Sequence, residues 1–254
     1  MKSKATPEIN FPHDRLMQLA NIEDWHFWFS GRASWLKYVL NKYLIHCEDW
    51  VLDLGCGTGK TLRLLEQFEY RAIGLDLRPE GLRSLVTLQD ELSLVQADAT
   101  HIPFTANTVE GIVMLDVFEH VDAKCTLLEI SRVLKPGGWL ILTVPAMNWL
   151  WSYRDDTAGH KQRFTKRKLK DLITTAEMCP VEMRYYQFFL FPLVIFTRFL
   201  ARWMNRVRDL EEIRLPYIND LFALINRLEV RLGHVIPWPW GSSIFAIFQK
   251  QTFQ

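Results

Sequence analysis

Residues 51–60 read VLDLGCGTGK, an apolar run that ends in Asp53 and opens into Gly55, Gly57 and Gly59 at alternate positions. A short apolar stretch closed by an acid and clustered glycines describes a buried strand that stops in a tight turn. The leucines of TLRLLEQF, residues 61–68, then recur at helical spacing. The unit is therefore strand, glycine turn, helix, and the turn presents bare backbone at a helix N-terminus.

Outward from this unit the same alternation continues. YRAIGLDL precedes EGLRSLVTLQ, LSLVQAD follows, GIVMLDVFEH precedes CTLLEISRVL, and GWLILTVP closes the series. Strand and helix alternating in this way build a doubly wound α/β core around a mainly parallel sheet. The strands are near-continuous Val, Leu and Ile, as expected when both faces are buried. Lys135-Pro136-Gly137-Gly138 predicts a sharp turn into the fifth strand.

The flanks break the pattern. An aromatic-rich helical stretch, NIEDWHFWFSGRASWLKYVLNKYL, precedes the sheet, and a hydrophobic helical stretch separates the last two strands. The expected organisation is a helical cap over residues 1–45, a core over 46–184, a helical insertion over 185–240, and a last strand over 241–254 that completes the sheet.

The chain has 254 residues, 49% hydrophobic and 23% charged, with a net charge of +1. That composition suits one globular core, excludes disorder, and gives no global attraction to nucleic acid. Cys47, Cys56, Cys125 and Cys179 are scattered without a C-x-x-C pair, which reads as reduced thiols in a cytoplasmic protein. No apolar segment of signal-peptide type follows the N-terminal lysines.

Glycine turns of this kind hold three ligand classes, and spacing separates them. A mononucleotide P-loop, G-x-x-x-x-G-K-S/T, would need glycine at position 54, which is Leu54. The dinucleotide fingerprint G-x-G-x-x-G would need glycine at position 60, which is Lys60. The second class is weakened by this mismatch and stays open as a nicotinamide-dependent oxidoreductase.

The pattern that fits is D-x-G-x-G-x-G, from Asp53 to Gly59. It resembles the first motif of class I S-adenosylmethionine-dependent methyltransferases, and LDVFEHVD and RVLKPGGWLILTVP resemble later segments of the small-molecule members. The resemblance spans roughly residues 49–177. It implies a Rossmann-like, seven-stranded fold and S-adenosyl-L-methionine as cofactor.

In that frame the backbone of Gly55, Cys56, Gly57 and Gly59 would lie against the methionine end of the ligand, with its carboxylate at the helix N-terminus. Asp53 would reach the ammonium, Asp76 would accept the ribose hydroxyls, Leu77 would pack on the adenine, and Asp98 would accept its amino group. Ala99 and Asp116 belong to the same expected set, and Arg32 of the cap would close over the methionine carboxylate, its alternative being a salt bridge. Taken alone each acid is an ordinary loop residue; together they end successive strands and outline one crevice.

Transfer of the sulfonium methyl to a nucleophile needs in-line positioning and, for a hydroxyl or carbon acid, a base. His120 and His160 are the candidates, with Asp155 to orient His160. No histidine, cysteine or acid cluster shows metal-ligand spacing.

The run Tyr185–Thr197, YYQFFLFPLVIFT, carries no charge, but Arg198 ends it short of a membrane span. Arg198, Arg202 and Arg206 recur every four residues among Phe199, Trp203 and Val207, predicting a basic amphipathic helix. With the lysines and arginines of KQRFTKRKLK and with Trp238 and Trp240, it predicts peripheral contact at the inner face of the membrane through residues 185–208. The alternative is an apolar lid or a homodimer face. Either way the expected acceptor is a hydrophobic or aromatic small molecule in a pocket walled by Phe, Trp and Leu. A non-catalytic, membrane-associated module with the same fold is the remaining reading.

Overall fold

A computed structural model describes residues 22–23, 25–43, 49–86, 92–204, 216–233 and 235–252. Seven strands form one sheet in the order β3-β2-β1-β4-β5-β7-β6. They are β1 (Trp50–Leu54), β2 (Arg71–Asp76), β3 (Ser93–Gln96), β4 (Val109–Leu115), β5 (Leu134–Pro145), β6 (Met178–Tyr186) and β7 (Ser243–Lys250). The first five run parallel, and β7 lies antiparallel between β5 and β6. This is the expected doubly wound α/β fold. The strand order reverses beside β1, and that switch point is where open α/β sheets hold ligands.

Alternate side chains enter the two faces, as the pleat requires. Leu52 and Leu54 of β1, Leu140 and Leu142 of β5, and Ala246 and Phe248 of β7 bury on one face, against α4 (Ala123–Val133) and α6 (Lys166–Thr174). Val51, Ile141, Phe245 and Ile247 bury on the other, against α1 (Phe27–Tyr43) and α2 (Lys60–Gln67), while α3 (Pro79–Val86) lies beside β2 and β3. Each fully buried aliphatic side chain contributes about 1.5–3 kcal/mol. The alternation therefore fixes the register, because a one-residue slip would turn every one of these residues outward.

The Pro136-Gly137 turn does not precede β5 but interrupts it. The register steps from Val109↔Leu134 to Gly111↔Trp139, so the extra residues bulge out of the strand. The apolar run from Tyr185 is likewise divided. Tyr185 and Tyr186 end β6, and helix begins only with α7 (Phe191–Met204). A second helix of this region, α8 (Pro216–Gly233), packs on α1, where Trp35 stacks on Phe245 of β7 with 6.0 Å between ring centroids.

Of the basic stripe predicted along this region, Arg198 does not lie on an exposed face. Arg198 is 7% exposed, and its guanidinium donates inward to the Leu150 carbonyl and to Asp155. Arg206 and the side chain of Arg202 lie outside the described residues. Trp238 is also buried, stacked on Phe188 at 4.7 Å, while Trp240 is exposed. Among the described residues, no helix is long and apolar enough to cross a membrane.

Candidate active site

The carboxyl ends of β1, β2 and β4 open onto one cavity of about 410 Å³. Its floor is the glycine turn. Gly55 has φ +86°, and a Cβ there would meet Val117 Cγ2 at 2.4 Å; Gly59 has φ +76° and would meet Leu85 at 2.4 Å. The amides of Gly55 and Cys56 both donate to the Leu75 carbonyl, at 2.7 and 3.1 Å. The Gly57 amide donates to Asp76 Oδ2 at 2.8 Å, and the Arg78 amide to Asp76 Oδ1 at 2.9 Å. Asp76 thus holds the turn as well as facing the cavity. Burial raises its pKa, and these amides oppose the rise.

Asp53 is 2% exposed. Its Oδ2 accepts no hydrogen bond among the described residues. Burial pushes its pKa up to about 8, against the opposing charge of Arg32. Asp98 lines the same cavity with Oδ1 capped by the Thr100 amide at 2.9 Å, and Leu77 and Ala99 form the adjoining wall. The backbone of Cys56 belongs to the turn, but its side chain packs with Leu82 and Leu85.

The cap closes over this floor through contacts that sequence reading missed. Thr58 Oγ1 donates to Glu23 Oε1 at 2.5 Å, and Lys60 Nζ to the Glu23 carbonyl at 2.7 Å. A single acid before a helix gives no signal of its destination. Arg32 takes the salt-bridge alternative, and its partner is Asp116: Nη1 to Oδ2 is 2.7 Å. Asp116 sits at φ 55°, a conformation aspartate tolerates, with Thr143 Oγ1 donating to its Oδ1 at 2.7 Å. Both residues line the cavity, so the pair bridges cap and sheet across the binding space. His26 packs on Phe27 with 4.5 Å between centroids; burial, then the charge of Arg154, lowers its pKa to about 4.

At the far end, Asp155 of the short helix α5 (Tyr153–Ala158) is fully buried and acts as a hub. It accepts from the Ser152 amide at 2.9 Å, His160 Nδ1 at 2.8 Å, Arg163 Nε at 2.7 Å and Arg198 Nη1 at 3.2 Å. Burial alone would raise its pKa, but the His160 hydrogen bond and the two guanidinium charges hold it well below the usual carboxylate range. Asp155 therefore touches His160 as expected, from behind. His120 Nδ1 lies 3.2 Å from the Gly159 carbonyl, and the two imidazoles are 4.9 Å apart edge to face.

Two expectations need correction here. The fold does assemble a metal-type cluster: one ligand atom each from Glu119, His120 and His160 falls within 4.8 Å of the others. The spacing was invisible because His160 comes from beyond β5. The cavity is also not walled by the aromatic residues of the insertion. Among the described residues, that region contributes Arg198, and the aromatic lining comes from Trp28 and Phe29 of the cap. Arg163 of the presumed basic surface is buried on Asp155.

Residues 52–142 match the family model described as Methyltransferase domain. The chain is 31% identical over 173 residues to an uncharacterized protein of Methanocaldococcus jannaschii, covering 61% of this chain and 67% of that one. It is 35% identical over 116 residues to the demethylmenaquinone methyltransferase of Lactobacillus johnsonii, covering 41% and 47%. The chain thus spans about two thirds of the first relative's length and about half of the second's. In fold it resembles the methyltransferase solved in complex with the Haloferax volcanii Trm112 activator, with TM-score 0.62 and 20% identity over 94% of this chain and 95% of that chain.

Proposed function

Because this chain belongs to the class I S-adenosylmethionine-dependent methyltransferase superfamily, we propose that it moves the cofactor's methyl group to a hydroxyl on an apolar or aromatic small molecule. The observation that supports this reading most is the convergence of Asp53, Asp76 and Asp98, from three strand ends, on one cavity that also takes in His120 and His160. Asp53 takes the ammonium, Asp76 and Asp98 the ribose and adenine, and the glycine backbone the methionine carboxylate. The Arg32–Asp116 pair closes the cap over the ligand. Trp28, Phe29, His120 and His160 line the same cavity and would meet the acceptor.

The nucleophile and the methyl must meet about 3–3.5 Å apart on a straight line, and that positioning supplies about 7–11 kcal/mol at most. His160 is the better-oriented proton acceptor: Asp155 accepts a hydrogen bond from its Nδ1–H, which leaves the Nε2 lone pair for the cavity. The relative named for demethylmenaquinone methylation favours an acceptor with an apolar body. Exposed Phe196 and Phe199 on α7, and Leu221, Leu224, Leu228 and Leu232 along α8, favour its delivery from a membrane surface.

Thermal unfolding with S-adenosylmethionine, S-adenosylhomocysteine and NAD tests the cofactor, since a ligand specific to the folded state raises the melting temperature. We expect both adenosyl compounds to stabilise and NAD to be silent; the reverse overturns the assignment. Flotation with anionic liposomes tests delivery, with Leu224→Ser and Leu228→Ser together expected to abolish it. Self-association of the wild type that the same pair abolishes, without flotation, would replace the membrane by a homodimer.

A further inference from the structure

The structure assigns a divalent transition-metal site to Glu119, His120 and His160. Their ligand atoms lie within 4.8 Å of one another on the wall of the catalytic cavity. Glu119 is 1% exposed, and its Oε2 has no hydrogen-bond donor among the described residues. An ionised carboxylate is costly to bury, so Glu119 ionises in place only where a cation meets it. The neighbouring guanidinium groups are committed elsewhere, Arg163 to Asp155 and the Ala146 carbonyl, Arg32 to Asp116.

Both imidazoles are arranged as metal ligands are. His160 Nδ1 is bound by Asp155 at 2.8 Å, and its Nε2 stands 3.8 Å from Glu119 Oε1. His120 Nδ1 is paired with the Gly159 carbonyl at 3.2 Å, and that oxygen can only accept. A carboxylate or carbonyl behind each ring puts the proton on Nδ1 and the lone pair on Nε2, which is how proteins orient metal-binding histidines. Two nitrogens and one carboxylate suit Zn²⁺, Mn²⁺, Fe²⁺ or Co²⁺ better than Ca²⁺ or Mg²⁺, which prefer oxygen.

Three protein ligands leave a coordination position open to the cavity. An acceptor hydroxyl bound there would lose its proton to water at lower pH than when free, and this takes over the base role of His160, whose Nε2 lone pair the metal then occupies. Its oxygen pair then forms the bond to the methyl carbon as the carbon–sulfur pair returns to sulfur. This role rests on the methyltransferase reading; the metal site itself does not.

The test is a titration of the chelator-stripped full chain with Co²⁺, read from visible absorption, with Zn²⁺ as competitor and S-adenosylhomocysteine stabilisation measured in parallel. We expect about one Co²⁺ per chain, displaced by Zn²⁺. Affinity should fall tenfold or more in Glu119→Gln, His120→Asn and His160→Gln. If Glu119→Gln does not fold, the two histidine variants carry the comparison. Stripped protein that responds to S-adenosylhomocysteine yet takes up neither Co²⁺ nor Zn²⁺, or uptake indifferent to the foldable variants, overturns the site and leaves the cofactor reading intact. Metal uptake without any response to the adenosyl ligand keeps the site and removes that reading.

Discussion

Asp53 shows how one side chain can be both a sequence signature and a chemical surprise. In the proposed reading its place before the glycines makes it the anion for the ligand's ammonium, yet burial lifts its pKa to about 8, so near pH 7 the ligand-free protein holds it protonated. A cation arriving at Oδ2 restores the ordinary carboxylate order, and the proton must leave. Binding of S-adenosylhomocysteine near pH 7 should therefore release up to about one proton, and affinity should rise with pH by up to about tenfold per unit below 8. Titration calorimetry in buffers of different ionisation enthalpy reads the proton directly. Asp53→Asn should lose the buffer dependence; a wild type without it would mean that Asp53 does not meet the ammonium. The sign for stability is opposite. A carboxyl whose pKa rises from 3.8 on folding makes the ligand-free fold less stable as pH climbs from about 4 through 8. The acid was legible because strand-end position is local. Its protonation was not, because that depends on what packs above it, including an arginine held on Asp116.

At the scale of elements, the cap is held by a partner that no local pattern reveals. Asn219 of α8 caps the start of α1 from across the chain: its Oδ1 accepts from the Phe27 amide at 2.8 Å, and its Nδ2 donates to the Trp25 carbonyl at 2.8 Å. Two turns on, Asn226 donates to the Phe27 carbonyl at 2.9 Å, beside Gly31, where a Cβ would come within 2.9 Å of its amide nitrogen. Asn219→Ala removes the cap and leaves a carbonyl without its donor. We expect a loss of about 1–3 kcal/mol in denaturant unfolding, with weaker S-adenosylhomocysteine binding because α1 carries Arg32. Unchanged binding would show that α1 holds its place without α8. The hydrophobic spacing of α1 and the existence of helices before β7 could be read from sequence. Their mutual capping could not, because it needs two asparagines separated from α1 in the chain by six of the seven strands. The same limit explains Arg198: its periodicity put it on a basic face, but a buried carboxylate, Asp155, recruits it inward.

Across the whole molecule, the sheet order gathers the glycine turn, the strand-end acids and the histidine segment on one edge, while the two helical flanks close over it. Repetition of strand and helix made the sheet legible in sequence, because buried parallel strands are uniformly apolar. The roof was not, because it is made by contacts among residues 23, 32, 116, 198 and 219. This architecture makes α1 and α8 part of the binding unit rather than a decoration on it. Glu23 grips Thr58 of the turn, Arg32 grips Asp116, and Asn219 and Asn226 tie α8 to α1. Saturation at 100 times Kd adds about 2.7 kcal/mol to global stability. Local opening of the roof should be suppressed by a comparable amount wherever these contacts transmit it. Hydrogen exchange with and without S-adenosylhomocysteine should therefore show added protection in residues 27–43, and also in residues 216–233, although no residue of 216–233 lines the cavity. Protection confined to residues 53–59 and the strand ends would show that the flanks open independently of the ligand.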